Sequence, residues 1–230
     1  MTLPKILVGC PTSDYKEYCL EEYSKAVKSL TYKNYDILLV DNSKNENYIK
    51  KIRSFNLPVI KGPYFPGAKK RIIKSRNLLR EKAIEGKYDY FLSLEQDIIP
   101  PKDIIERLLK AKKDIISAVY FMPRDLELVP MIAIKEGESY GYIPFNYVDK
   151  SKEIIRVDYT GLGSLLISRK VIEKIEFKTD AKPGFDDWWF CKDAEKNNFK
   201  IYADISIKCK HLLNNRPWSW KDIKLWSQKF

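Results

Sequence analysis

Short unbroken apolar runs alternate along this chain with segments of helical period, and that alternation limits the possible fold more than any other feature. The runs are Lys5–Gly9 (Lys-Ile-Leu-Val-Gly), Asp36–Val40 (Asp-Ile-Leu-Leu-Val), Leu57–Ile60, Tyr88–Glu95 and Ile115–Phe121. Between the first two, Leu20, Tyr23, Ala26, Val27 and Leu30 recur at the spacing of one helix face within Glu17–Leu30. Tyr48–Phe55, Lys69–Gly86 and Lys102–Lys112 read as further helices. A strand that is apolar on both sides must be covered on both faces, and parallel strands need a crossover, usually a helix. The order predicts an α/β fold: an open, mostly parallel sheet with helices on both faces.

From Pro123 to Asp158 the pattern becomes irregular. Pro130, Gly137, Gly141 and Pro144 punctuate it, and Tyr140, Tyr142, Phe145 and Tyr147 cluster there. Such an excursion is a functional loop or a short antiparallel addition. Order returns with Tyr159-Thr-Gly161-Leu-Gly163 leading into an apolar run to Ser168, then a helix over Arg169–Ile175. Asp186 or Asp187 is placed to cap a helix reaching about Asn197. Lys200–Ile207 reads as a last strand, with the lone histidine, His211, just beyond it.

The residues able to do chemistry fall at strand ends. Glu95 and Asp97 follow the central run and sit two apart, on one side of an extended chain, before Pro100 and Pro101 stop it. Open α/β sheets place ligands at the carboxyl ends of their strands, and paired carboxylates there suit a divalent cation and, through it, a phosphate. The same acids would also serve as a helix cap and solvated turn. Gly161 and Gly163 let backbone approach a ligand closely, or make a plain bulge before a strand.

Composition narrows the classes. The 230 residues are 44% apolar and 32% charged, which suits one large globular domain. No apolar run is long enough to span a bilayer, and the start, Met-Thr-Leu-Pro-Lys, lacks a signal-peptide pattern. Cys10, Cys19, Cys191 and Cys209 are scattered and form no Cys-x-x-Cys pair, which argues against structural zinc and for reduced thiols in the cytoplasm. The net charge of +11 calls for an anionic partner, but the lysines are spread along the chain.

It is the ordered set that carries a resemblance. Pro11-Thr12 ends strand one, Asp41-Asn-Ser ends strand two, and Ser75-Arg76-Asn77 lies on a helix. Glu95-Gln-Asp97, Gly161-Leu-Gly163, Phe185-Asp186-Asp187-Trp-x-Phe-Cys and His211 follow in that order. Together, over residues 5–211, they resemble the nucleotide-sugar-dependent glycosyltransferases of the GT-A fold, in the large inverting family that includes bacterial polysaccharide synthases. The resemblance implies one GT-A-like catalytic domain over residues 1–214, with a nucleotide-binding half to about 121 and an acceptor half from about 122. It implies that Asp41 bonds the nucleotide base, that Pro11 and Thr12 line its site, that Arg76 lies near the diphosphate and that Glu95 faces the ribose. Asp97 and His211 would hold Mn²⁺ or Mg²⁺. Gly161, Gly163 and Trp188 would approach the sugar or acceptor. In the Asp186-Asp187 pair the second acid, Asp187, would be the general base. The chain departs from the family in having Glu95 for the first acid of Asp-x-Asp and Trp189 where a further acid often stands. The implied partners are a UDP- or GDP-sugar and a glycan, lipid-linked or protein acceptor.

Two rivals belong to other classes. A nucleotidyltransferase would open with a Gly-rich, basic loop after strand one, where this chain has Cys10-Pro-Thr-Ser-Asp14. A nucleic-acid-binding protein, or a fold that binds nucleotides without catalysis, would explain the charge, but the aromatic cluster of Tyr140–Tyr147 has few basic neighbours. In the tail, residues 215–230, Trp220, Ile223, Trp226 and Phe230 share one helical face among lysines. That face either packs on its own domain or lies in a membrane interface, as a peripheral contact.

Overall fold

The computed structural model describes residues 3–124, 127–179, 184–213 and 216–218. β1 (Ile6–Thr12) passes through a 3-10 turn (Asp14–Cys19) into α1 (Leu20–Lys28). There follow β2 (Tyr35–Asp41), α2 (Asn47–Ser54), β3 (Val59–Lys61), α3 (Ala68–Glu85), β4 (Tyr90–Leu94), β5 (Ile98–Ile99), α4 (Ile104–Lys110) and β6 (Ile115–Val119). The irregular stretch resolves into small antiparallel pieces: β7 (Phe121–Arg124) with β8 (Glu127–Pro130), and β9 (Ile132–Glu136) with β10 (Ser139–Tyr142). α5 (Phe145–Lys150), β11 (Ile154–Val157), β12 (Tyr159–Thr160), β13 (Ser164–Ser168), α6 (Arg169–Lys174) and α7 (Asp186–Lys196) come next. β14 (Ile201–Lys208), β15 (Lys210–Leu213) and β16 (Arg216–Trp218) complete the described chain. The amphipathic face expected from Trp220 to Phe230 lies outside the described residues. No helix among the described residues is long and apolar enough to cross a membrane.

The main sheet runs β11-β14-β6-β13-β4-β1-β2-β3. Every neighbouring pair is parallel except those made by β13, with β4 and β6, and by β11, with β14. Because β13 is reversed, its amino end lies beside the carboxyl ends of β4 and β6. Thr12, Asp41, Glu95, Tyr120, Gly163 and His211 therefore gather at one edge of the sheet from six separate places in the chain.

Alternation in the strands divides the core into two layers. Ile6, Val8 and Cys10 of β1 pack with α1, α2 and α4, while Leu7 packs with α3, α6 and α7. Gly9 is glycine because a Cβ there would lie 2.3 Å from the ring of Phe91 on β4. β1 is longer than its apolar run because Pro11 is harmless where it sits. The Thr12 carbonyl bonds Asn42 on the β2 side, so Pro11 faces β4, beyond the last β1–β4 pair, Gly9 with Ser93. The expected helix over Glu17–Leu30 begins as a 3-10 turn because the Lys16 carbonyl accepts from Gln96 Nε2 at 2.6 Å, and Leu20 N–H bonds Glu17 instead.

Candidate active site

Two adjoining hollows open at that sheet edge. The larger, about 500 Å³, is lined by Pro11, Thr12, Ser13, Tyr15, Lys16, Asn42, Tyr64, Pro66, Ala68, Arg71, Ile72, Glu95 and Gln96. The smaller, about 240 Å³, is lined by Ile72, Arg76, Glu95, Tyr120, Met122, Met131, Leu162, Phe185, Asp186, Asp187 and His211. Glu95 and Ile72 form the wall they share.

β4 ends at Leu94, and Glu95–Ile98 closes a turn, with the Ile98 N–H donating to the Glu95 carbonyl at 2.9 Å. This corrects the expectation of an extended acidic pair: the turn sends the two carboxylates to different partners. Glu95 accepts from Arg76 Nη2 at 2.7 Å. Asp97 meets the Lys16 ammonium at Oδ2, where His211 Nε2 also stands 3.3 Å away. Gln96, fully buried between them, accepts from the Thr12 hydroxyl and donates to Tyr48 Oη at 2.7 Å. It ties the turn to β1 and α2.

Burial alone would raise the Asp97 carboxyl, but the His211 hydrogen bond and the Lys16 charge outweigh it and hold it below the usual carboxylate range. Its other oxygen, Oδ1, is buried and has no hydrogen-bond partner. His211 Nδ1 lies 2.6 Å from the Phe121 carbonyl, which only accepts, so Nδ1 carries the hydrogen and donates it. That orients Nε2 toward Asp97: a charged ring donates to Oδ2 there, and a neutral ring presents a lone pair, as in metal-ligating histidines. An orphan carboxylate oxygen beside such a nitrogen suits a divalent cation. Among the described residues no third His, Cys, Asp or Glu joins them in a cluster.

Arg76 is buried in α3, with 1% of its surface exposed, and lines the smaller hollow. Nε donates to Asp186 Oδ2 at 2.8 Å, Nη1 to Ser93 Oγ at 2.6 Å and Nη2 to Glu95. The expectation of a cation near the diphosphate thus meets a guanidinium already committed to protein acceptors, joining β4 to the start of α7. Asp41 is also corrected as a direct contact to a base. It has no exposed surface and does not line the cleft; Oδ1 takes the Ser43 N–H at 3.0 Å and Oδ2 takes Lys61 Nζ at 2.9 Å. Asn42 stands at the cleft wall instead, with Pro11 and Thr12.

Asp187 is the second residue of α7, one past Asp186. Oδ2 accepts from Tyr159 Oη and Oδ1 from the Trp188 N–H, both at 2.7 Å. Burial pushes its carboxyl above the usual range, and the charges of Asp186 and Glu95 add to this; the hydrogen bonds from Tyr159 and Trp188 pull the other way without reversing it. Trp188 packs edge-on against Tyr140, centroids 4.8 Å apart, with Lys192 over its ring, and lines neither hollow.

Gly161 and Gly163 are close-approach positions, but for a side chain rather than a ligand. A Cβ would fall 2.1 Å from Tyr120 Oη at Gly161 and 2.8 Å from it at Gly163. Tyr120 accepts the Gly163 N–H at 3.1 Å, packs edge-on against His211 and lines the smaller hollow. Tyr120, Gln96, Lys16, Lys61 and Tyr159 were not picked out by sequence reasoning. Only the two glycines signalled one of them, by marking space that something large had to fill.

No family model and no curated protein matches this chain. Solved structures do. GalNAc-T7 with UDP, GalNAc and Mn²⁺ aligns at TM-score 0.70 and 13% identity, over 99% of this chain and 48% of its own. The mannosyltransferase PcManGT from Pyrobaculum calidifontis, in complex with GDP-Man and Mn²⁺, aligns at 0.61 and 15% identity, over 91% and 57%. S. aureus TarS aligns at 0.57 and 17% identity, over 86% and 35%. The chain therefore spans from about a third to somewhat over half of these proteins. At such identities the likeness is one of architecture, and the architecture is GT-A-like, shared with nucleotide-sugar glycosyltransferases.

Proposed function

We propose that this chain is a glycosyltransferase that moves a sugar from a UDP- or GDP-linked donor to an acceptor hydroxyl, in a single displacement with inversion. The observation that carries the reading is the charge pattern at the sheet edge. Asp41 pairs with Lys61, Glu95 and Asp186 with Arg76, and Asp97 with Lys16. Asp187 alone among them has no ion-pair partner among the described residues, only the donors Tyr159 and Trp188. A general base must keep an unneutralised lone pair facing its substrate, and the raised Asp187 carboxyl, in the smaller hollow, meets that need.

The larger hollow is of a size for the nucleotide and the smaller for the reacting sugar and acceptor, with Glu95 between them. Asp187 accepts the acceptor's hydroxyl proton as the oxygen bonds the anomeric carbon from the face opposite the leaving group. The bond from that carbon to the phosphate oxygen breaks, and its electron pair leaves with the nucleoside diphosphate. Asp97 and His211 would hold Mn²⁺ or Mg²⁺, which supplies Lewis-acid stabilisation of the departing charge. Asp186, bound to Arg76, positions the start of α7 and is not the base. The acceptor is a glycan, lipid-linked saccharide or protein hydroxyl.

The test is binding and slow hydrolysis across UDP-, GDP- and dTDP-sugars, each with Mn²⁺, Mg²⁺ or EDTA. We expect metal-dependent turnover of one donor, retained donor binding in Asp187→Asn, and its turnover reduced by at least about 10²-fold. Full activity in Asp187→Asn rejects the base, and no nucleotide binding under any condition rejects the reading.

A further inference from the structure

Lys16 has no part in the reaction as written, yet it occupies a telling place. Its ammonium is paired with Asp97 Oδ2, the oxygen His211 Nε2 also faces, while Asp97 Oδ1 stays buried and unpartnered. At neutral pH the Lys16 side chain is a cation. It is 36% exposed and lines the nucleotide cleft, so it can turn from Asp97 into that cleft. Its main chain does not depend on that pairing, because the Lys16 carbonyl is separately fixed by Gln96 at 2.6 Å. An ammonium on a flexible four-carbon stem is a point charge that can exchange partners.

We propose that Lys16 is a counterion that exchanges between Asp97 and the donor's diphosphate. Without metal, Lys16 neutralises Asp97. When Asp97 takes a divalent cation, Lys16 is displaced into the cleft and pairs with the phosphates of the nucleotide. The inference rests on the donor reading above, and it has a thermodynamic consequence. Metal alone must strip Asp97 of its lysine and leave that lysine unpaired. Metal with a nucleoside diphosphate gives the displaced lysine new partners. Lys16 thus makes the two ligands bind cooperatively, each raising the affinity for the other by the same factor.

The experiment measures Mn²⁺ binding to the full chain by the loss of the free Mn²⁺ signal in electron paramagnetic resonance, alone and with UDP or GDP. Wild type is compared with Lys16→Met and Lys16→Gln, each checked for folding by circular dichroism. Wild type is expected to bind Mn²⁺ about tenfold or more tightly when the preferred nucleotide is present, an ordinary size for coupling between sites. Both variants should bind Mn²⁺ alone about tenfold more tightly than wild type, bind the nucleotide more weakly, and lose most of the coupling. If wild type shows the coupling and both variants match it, Lys16 is a passive surface pair and this inference fails while the donor reading stands. If wild type binds neither UDP nor GDP with Mn²⁺, the donor reading fails and takes the inference with it.

Discussion

Replacing Arg76 by methionine removes the cation that joins the shared wall of the two hollows to the helix carrying the proposed base. The substitution keeps most of the apolar volume, and the thioether would stand near the Phe177 ring, whose centroid is 5.7 Å from the guanidinium carbon. The two carboxylates left behind differ in what they can do. Glu95, with 34% of its side chain exposed, can turn to water at small cost. Asp186, with 7%, cannot. The loss is therefore that of orphaning one buried carboxylate, about 3–5 kcal/mol. That is a large part of the 5–15 kcal/mol that holds a typical domain folded. The assay is urea unfolding at neutral pH followed by circular dichroism. The double variant Arg76→Met/Asp186→Asn removes the orphan charge as well, and should recover about 2 kcal/mol or more, short of full recovery because the amide's hydrogen bonds are not all met. A single variant within about 1 kcal/mol of wild type, or a double variant no more stable than the single, would falsify the argument that Arg76 acts by neutralising a buried acid.

The remaining expectations concern the base and the glycine turn. Asp187 must be ionised to accept a proton, so turnover falls as pH drops through its raised pKa. Tyr159→Phe deletes a hydrogen bond to the charged form, so the acid limb of the kcat/KM profile should move to higher pH; a limb that stays put removes Tyr159 from the base's setting. Gly161→Ala would place a Cβ 2.1 Å from Tyr120 Oη, and should lower stability by about 1–3 kcal/mol in thermal denaturation. Adding Tyr120→Phe takes away the clashing atom and should restore part of that loss; no restoration would mean the strain lies in the backbone.

The architecture was legible because covered strands and crossover helices leave an unmistakable alternation in the chain. Two features were not. The run Leu165-Leu-Ile167 reports burial on both faces and says nothing of direction, so the reversal of β13 had no sequence signal. Several helices also stop without glycine. Asn56, Lys87, Lys112 and Asn198 take positive φ, between 51° and 59°, just past α2, α3, α4 and α7. A chain with nine glycines places asparagine and lysine at left-handed positions where glycine is the usual residue, so those boundaries carry little local mark, except at α3, where Gly86 precedes Lys87.

At the site, what could be read was position, and what could not was partnership. Asp41 was identifiable as a strand-end acid. Its neutralising lysine, however, is set by the register of β2 on β3, in which Asp41 and Lys61 are direct partners. Arg76 was identifiable as a basic residue on a helix facing the site. Whether it meets phosphate or protein depends on how α7 packs against α3, a contact between residues 110 apart. Asp186 and Asp187 look alike in the sequence and are separated by one helical step. That step turns the first toward buried Arg76 and the second toward a hydroxyl and a main-chain N–H. The proposed division between a positioning acid and a base thus rests on the tertiary supply of cations. In a chain of net charge +11, a carboxylate that lines the smaller hollow and has no cationic partner among the described residues is the more informative choice.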